Sequence, residues 1–488
     1  MNLPSIFVQA SQQYAKRIAL NHPDGSLTYQ EIHEQALVLC QDPKFSSELF
    51  QIIEGKQTIT EYIQIWASFL SGKPFVPLNP KLPKERIQKI LSSTRHALTQ
   101  HHAADQAADP AADPAAHPEE RPTAPPESLA YILFTSGTTG EPKGVPIGCQ
   151  QLANHCYNLQ KIIDPHSEDR VLQLFDFSFD AAIAGMLIAW ASGAELCALP
   201  PAHVLMAPRY VQEQDITIWH SVPSVVSLAA KAGLLAPNSL PSIRLAIFGG
   251  EALPYETVRM FSQAAPNARI MNFWGPTEGT ISLSYFEIDP ALLLSERPPN
   301  QDLAIIPIGH PHPGVQLALW DHQAKAFTVS SSELCACSDQ LTTGYLNRPD
   351  LSEAQFFFHE GKRWYHTGDL AKWDDRYGYC YLGRIDRQIK FKGYRIELQD
   401  CEVALRQASG CDQVCVLPWP ISADGSVTGL LGFIADPSVD TSETMRTLEA
   451  LLPNYMIPSQ LILLDELPLN ISGKIDFKAL EAKASEFI

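Results

Sequence analysis

The middle of the chain alternates short apolar runs with longer, apolar-faced segments. The runs at residues 171–174, 194–199, 216–220, 245–248 and 270–272 have the composition of buried strands. Between them, residues 181–192, 223–232 and 254–264 have helix length. This alternation, from Leu129 to about Asn272, predicts mostly parallel sheets covered by helices, with ligands taken at the carboxyl ends of the strands. After about Gly383 the pattern restarts on a smaller scale. Residues 387–394, 414–417 and 430–435 read as strands, and residues 397–407 and 443–452 as helices. That predicts a compact α+β domain of roughly a hundred residues. The expected fold class is therefore α/β, with a large N-terminal domain (residues 1–384) and a small C-terminal one (residues 385–488).

The first hundred residues read as helices with short strands. Residues 27–32 (LTYQEI) begin with apolar–polar alternation, and residues 75–80 (FVPLNP) are an extended segment closed by prolines. Residues 101–126 are low in complexity, with Pro110, Pro114, Pro118 and Pro122 recurring every fourth residue. Each proline removes an amide that a helix would bond, so this stretch is expected to be an exposed, mobile linker or loop insertion.

At 488 residues the chain has length for two or more domains. Its net charge of −18, from 54 acidic and 36 basic residues, argues against a general nucleic-acid or anionic-membrane binder. The N-terminus has no basic start followed by an apolar run, so no secretory signal is expected. Residues 181–199 are the most membrane-like, but Gly185, Ser192, Gly193 and Glu195 interrupt them, which predicts a buried helix followed by a strand. The cysteine pairs Cys335/Cys337 and Cys411/Cys415 lack zinc-motif spacing. All ten cysteines are expected as reduced thiols of a cytoplasmic protein.

The densest chemistry lies at residues 133–145, LFTSGTTGEPKGV. An apolar strand, residues 129–134, empties into it. Gly137, Gly140 and Gly144 let backbone approach a ligand closely. Thr135, Ser136, Thr138 and Thr139 offer hydroxyls, the amides between them can form an anion-binding concavity, and Lys143 adds positive charge. This is a phosphate cradle, and not a Walker A loop, because no Gly-Lys-Ser/Thr ending precedes a helix.

Five further stretches follow a fixed order around it: residues 175–182 (FDFSFDAA), 272–281 (NFWGPTEGTI), 365–370 (YHTGDL), 383–397 (GRIDRQIKFKGYRIE) and 467–480 (LPLNISGKIDFKAL). Together they resemble the adenylate-forming superfamily, and within it the amino-acid adenylation domains of nonribosomal peptide synthesis, from about Thr28 onward. The resemblance implies coupling of a carboxylic acid to ATP with release of pyrophosphate, then transfer to a thiol. A carboxylate attacking the α-phosphorus builds charge on anionic oxygens, which fixed donors and a metal must neutralise. Glu278 is implied as the Mg²⁺ ligand, a hard carboxylate for a hard ion, with Thr277 bonding an α-phosphate oxygen. Trp274, where tyrosine is more usual, would lie against adenine. Asp369 would accept both ribose hydroxyls and Arg384 would brace the ribose. Gly249, Gly250, Glu251, Asn272, Phe273 and Gly275 complete the implied nucleotide site. Lys474 resembles the catalytic lysine, reaching the α-phosphate and substrate carboxylate from a mobile C-terminal lid.

The resemblance places a hinge at Asp386. Turning the small domain there would replace Lys474 by Lys392, Gly393, Tyr394 and Arg395 for the thioester step, with Gly393 leaving room for a pantetheine arm. Asp180 would pair with a substrate α-ammonium, which favours amino acids over fatty or aryl acids. Its other reading is an N-cap for the helix from Ala181, and Asp176 could be a structural polar residue nearby. Ala181, Ala184, His220, Ile247, Gly249, Phe273, Ile281 and Ser282 would line the side-chain pocket. That set suits a modest side chain, either neutral with one hydrogen-bonding group or small and apolar, and an acidic one if His220 is protonated.

Two regions depart from the family pattern: residues 29–77, which are short, and residues 309–345, where SSSEL stands in place of the expected glycines. With no carrier segment after Ile488, the expectation is a free-standing, monomeric enzyme that loads a separate carrier protein, with no nucleic-acid or membrane partner. A D-alanine–carrier protein ligase and a coenzyme A ligase are the near alternatives. A non-catalytic adenylate sensor is disfavoured by the joint presence of Lys474, Glu278 and Asp369.

Overall fold

A computed structural model describes residues 2–79, 81–107, 128–135, 142–294, 304–391, 393–421, 427–469 and 475–487. By contacts the chain parts into two units. One comprises Met1–Pro80, Lys89–Phe134 and Gly144–Gly383, and the other Lys81–Gln88, Thr135–Lys143 and Arg384–Ile488.

The first unit is organised by a nine-stranded sheet. Across it run His310–Pro311, Ser284–Ile288, Arg269–Trp274, Leu245–Phe248, Ile218–Ser221, Arg170–Gln173, Glu195–Ala198, Ile18–His22 and Gly25–Thr28. From Arg269–Trp274 to Ile18–His22 every pairing is parallel, and both edges are antiparallel. The α/β expectation holds, with strand ends moved by one or two residues. The helices Asp180–Ser192, Pro223–Lys231 and Tyr255–Ala264 provide the crossovers between parallel neighbours. Asp180–Ser192 is buried nearly all round, as its composition requires. It stops at Gly193, whose φ of +80° and closeness to the Tyr14 ring exclude a side chain. No helix among the described residues is long and apolar enough to cross a membrane.

A four-stranded sheet, Gln51–Ile53, Phe75–Pro77, Leu129–Thr135 and Lys143–Gly148, carries the strands that flank the phosphate-loop sequence. Capping boxes start the N-terminal helices: Thr28 with Glu31 before Tyr29–Gln41, and Thr58 with Glu61 before Ile59–Ser71. Their inner faces meet in an aromatic core, with Phe7 stacked on Phe69 at 4.9 Å and Trp66 edge-on to Trp190 at 5.0 Å. The helix Lys84–Ala107 takes in the first seven residues of the expected linker. The correction has a simple cause: alanine favours helix, and between Pro83 and Pro110 no proline occurs. The rest of that stretch lies outside the described residues.

The fold also contains an antiparallel sheet that the apolar pattern does not announce. Its strands are Ala326–Thr328, Gln316–Asp321, Ser332–Cys337, Lys362–Asp374 and Phe356–His359, with Gly378–Arg384 paired to Lys362–Asp374. It contains much of the region that departs from the family pattern, and Leu317, Leu319, Leu334, Ala336 and Tyr365 lie in its core.

In the second unit, Val414–Pro418, Leu430–Ile434 and Gln460–Leu463 form a sheet accompanied by the helices Leu398–Ser409, Thr441–Leu451 and Phe477–Phe487. Residues 387–394, expected as one strand, instead enter a hairpin of Gln388–Phe391 and Tyr394–Glu397. The reversal falls at Gly393, whose φ of +81° suits a residue without a Cβ.

Candidate functional site

Parallel register brings the first-unit candidates to one edge. Ile247 pairs with His220 and Met271, and Phe248 with Ser221 and Asn272. His220, Gly249, Gly250, Phe273 and Trp274 therefore lie at or just past the carboxyl ends of three adjacent strands. Gly249 leaves no slack: a Cβ there would sit 3.0 Å from the Phe273 carbonyl oxygen.

The segment after Trp274 folds back tightly. At Gly275 a Cβ would meet Ser282 Cα at 2.5 Å, so the turn admits only glycine. Thr280 and Ile281 have φ of +60° and +73°, an outlying conformation for β-branched residues. Such strain persists where surrounding structure enforces it, and here it does. The Thr280 hydroxyl donates to the Gln340 carbonyl at 2.5 Å, and the Thr342 amide to the Glu278 carbonyl at 2.8 Å. Between them Thr277–Gly279 makes one 3-10 turn, and Glu278 is wholly buried. Its Oε1 accepts from the Tyr345 hydroxyl at 2.7 Å. A buried carboxylate oxygen on a rigid turn suits a hard divalent ion such as Mg²⁺.

Trp274 and Asp369 meet directly: the indole Nε1 donates to Asp369 Oδ2 at 2.9 Å, with both residues buried. The adenine-facing aromatic and the ribose carboxylate expected from sequence are thus mutually positioned. Asn272 and Glu251 also make bonds within the fold. The Asn272 amide donates to the carbonyls of Ile306 and Pro307, and Glu251 accepts from the Ser224 amide and hydroxyl at the start of helix Pro223–Lys231. Both hold neighbouring loops in place.

In the side-chain pocket, Asp180 is the first residue of its helix. The N-cap position falls on Phe179, one residue before Asp180, and makes no side-chain cap bond. Asp176 accepts from the Ser178 amide and hydroxyl, a local turn, and is the structural polar residue. Tyr131 is held well above the usual phenol range by burial and by the charge of Asp180. Gly185 lies between Gln173 and His220: a Cβ there would be 3.4 Å from Gln173 Oε1 and 3.8 Å from His220 Nδ1. Those two atoms and Ser282 Oγ are buried and have no hydrogen-bond partner among the described residues. A buried polar atom left so costs about 1–3 kcal/mol, which a substrate group could recover. Gln173 escapes a reading of the sequence because nothing in RVLQLF marks its side chain as inward-facing.

Burial alone pulls His220 down to about 4, so it is neutral near pH 7. A neutral His220 favours an uncharged substrate side chain over an acidic one. Burial likewise pulls His312, edge-on to Phe273 at 5.7 Å, down to about 4. Both sites protonate more readily in the unfolded chain, at about 6.5. Their stabilising contribution is present above pH 6.5 and is lost as pH falls towards 4, at about 1.4 kcal/mol per pH unit per site. Urea unfolding at pH 7.5 and pH 5 should show this loss, and His312→Asn should flatten the slope. An unchanged slope would refute the assignment.

In the second unit, Arg384 and Asp386 form a two-pronged pair, Nε to Oδ1 and Nη2 to Oδ2, each 2.7 Å. Burial raises the Asp386 carboxyl, and the Arg384 guanidinium more than reverses this, leaving it lowered. Arg384, expected on the ribose, and Asp386, expected at the hinge, are thus bonded to each other. Lys143 lies 3.6 Å from Glu397, which also accepts from Gln388 at 2.7 Å. Tyr394 stacks on Tyr455 at 3.6 Å. Thr135 Oγ1 is buried without a hydrogen-bond partner among the described residues. Ser136, Gly137, Thr138, Thr139, Gly140, Lys392 and Lys474 lie outside the described residues.

Known proteins share both the sequence pattern and the fold. The AMP-binding enzyme family matches residues 58–346. Tyrocidine synthase 3 of Brevibacillus parabrevis is 30% identical over 98% of this chain, which spans 8% of that protein. The chain spans a fifth or less of the length of the large peptide synthases it matches. A D-alanine–D-alanyl carrier protein ligase of Staphylococcus epidermidis is 28% identical over 98% of both chains. The solved Vibrio cholerae adenylation domain AlmE, in complex with glycyl-adenosine-5'-phosphate, superposes with a TM-score of 0.85 at 26% identity, covering 100% of this chain and 98% of its own.

Proposed function

Because this chain belongs to the AMP-binding enzyme family, we propose that it activates an amino acid with ATP and passes it to the phosphopantetheine thiol of a carrier protein. The observation that carries the reading is the Glu278 turn. A wholly buried carboxylate, pinned by Tyr345, closes the strand edge where Trp274 and Asp369 meet. ATP supplies the adenylyl group, and Mg²⁺ at Glu278 would neutralise phosphate oxygens. Thr277 donates to the α-phosphate, Asp369 holds the ribose, and Lys474 stabilises charge on the α-phosphate and the attacking carboxylate. Asp180 takes the α-ammonium.

The substrate side chain is neutral and modest in size. The neutrality of His220 supports this, as do the unpartnered Gln173 and Ser282 oxygens. The glycyl adenylate held by AlmE is of that class. D-Alanine is the second reading, favoured by the carrier protein ligase that aligns over nearly its whole length. Incubation with ATP, each amino acid, and either holo-carrier protein or coenzyme A tests the acceptor. A thioester on the carrier alone is expected, and transfer to coenzyme A alone would overturn the carrier assignment.

Gly393 belongs to the thioester step in this reading. A leucine there meets a φ of +81°, unfavourable by about 1–2 kcal/mol for an L-residue, and fills the thin passage for pantetheine. Gly393→Leu should slow carrier loading at least tenfold and leave adenylate formation within twofold. Equal loss of both steps would count against a two-conformation cycle.

A further inference from the structure

Outside the proposed nucleotide site, the antiparallel sheet gathers a second set of donor atoms. His322 Nε2 lies 2.6 Å and His366 Nδ1 2.7 Å from the same oxygen, Glu333 Oε2. Cys335 Sγ lies 3.4 Å from His366 Nδ1. The His322, Glu333 and His366 donors fall within 4.8 Å of one another. Strand geometry explains the convergence. Glu333 and Cys335 are two apart on Ser332–Cys337, so they share a face. The step between them is matched by the step from Leu370 to His366 on the partner strand, a register shift that brings His366 beside both. His322 enters from the turn after Gln316–Asp321.

We propose that His322, Glu333 and His366 form a binding site for a divalent metal ion of the zinc class, with solvent completing the coordination. In a tetrahedral zinc site neighbouring donors stand about 3.3–3.7 Å apart, so the two Glu333–histidine spacings need to open by about 1 Å at most. The donor chemistry excludes magnesium and calcium, which prefer all-oxygen shells.

The surroundings are those of a supported site. Glu333 Oε1 accepts from the Gly368 amide at 2.8 Å, which fixes the carboxylate plane. Phe357 stacks on the His366 ring at 4.3 Å and fixes its orientation. Glu333 and Cys335 are buried, whereas the His322 side chain is 56% exposed and leaves an entry path. Cysteine spacing alone hides this site, because none of its three ligands is a cysteine.

The test uses the purified full chain, stripped with chelator and titrated with Co²⁺ and Zn²⁺ without nucleotide. One equivalent of Co²⁺ is expected, with visible d–d absorption bands that Glu333→Gln abolishes. His322→Ala, at an exposed position that tolerates truncation, should weaken zinc affinity at least tenfold. Zinc should raise the melting temperature of the wild type and not of Glu333→Gln. Uptake below one equivalent by the wild type, or equal affinity in His322→Ala and wild type, overturns the site.

Discussion

Replacing Lys474 by alanine should lower amino-acid-dependent ATP–pyrophosphate exchange a hundredfold or more while ATP still binds. As the substrate carboxylate attacks, negative charge concentrates on the α-phosphate oxygens, and a positioned ammonium stabilises that charge more than it stabilises bound ATP. Losing one such donor costs on the order of 3 kcal/mol in the transition state. The deficit should appear in kcat, with KM for ATP changed little. A variant that exchanges pyrophosphate at the wild-type rate would remove Lys474 from the mechanism.

Glu278→Gln should be comparably damaging for a different reason. The side chain is wholly buried and accepts from Tyr345, so the amide keeps the shape and removes the charge that would hold Mg²⁺. Exchange should fall at least a hundredfold and the Mg²⁺ requirement should move to higher concentration. Tyr345→Phe removes only the hydroxyl that orients the carboxylate. About a tenfold loss is expected there, with a larger effect at low Mg²⁺. If Glu278→Gln kept its rate and its Mg²⁺ dependence, another group would have to hold the metal.

The sequence discloses most of what depends on local pattern. Strands such as Leu245–Phe248 are legible because a buried parallel strand is a short, unbroken apolar run. Trp274, Glu278 and Asp369 are legible as members of spaced motifs. Contacts between distant segments are not. Tyr345 stands 67 residues from the carboxylate it holds, and nothing local to TTGYLN points to Glu278. Glu251 and Asn272 sit at the motif edge, yet their hydrogen bonds go to Ser224, Ile306 and Pro307, which only the fold brings near. The reversal at Gly393 is hidden because QIKFKGYRIE keeps a strand-like alternation through the glycine. The metal-donor cluster is hidden for the same reason as Tyr345: His322, Glu333 and His366 meet only through an irregular register between strands.

The two readings of the substrate, a neutral amino acid generally or D-alanine specifically, share every residue assigned to ATP and differ only around Asp180, Gln173 and His220. Changes in that group should alter which amino acid is used before they alter how ATP is used. Arg384 and Asp386 are joined by two parallel bonds at the position where the sequence leads to the expectation of a hinge.

Pyrophosphate exchange with the common L-amino acids, glycine and D-alanine offered one at a time tests the central claim most directly. The account predicts strong exchange with one or a few small, neutral amino acids and none with aspartate, glutamate or acids lacking an α-amine. Exchange driven by a fatty or aryl acid, or no exchange with any amino acid, would contradict it.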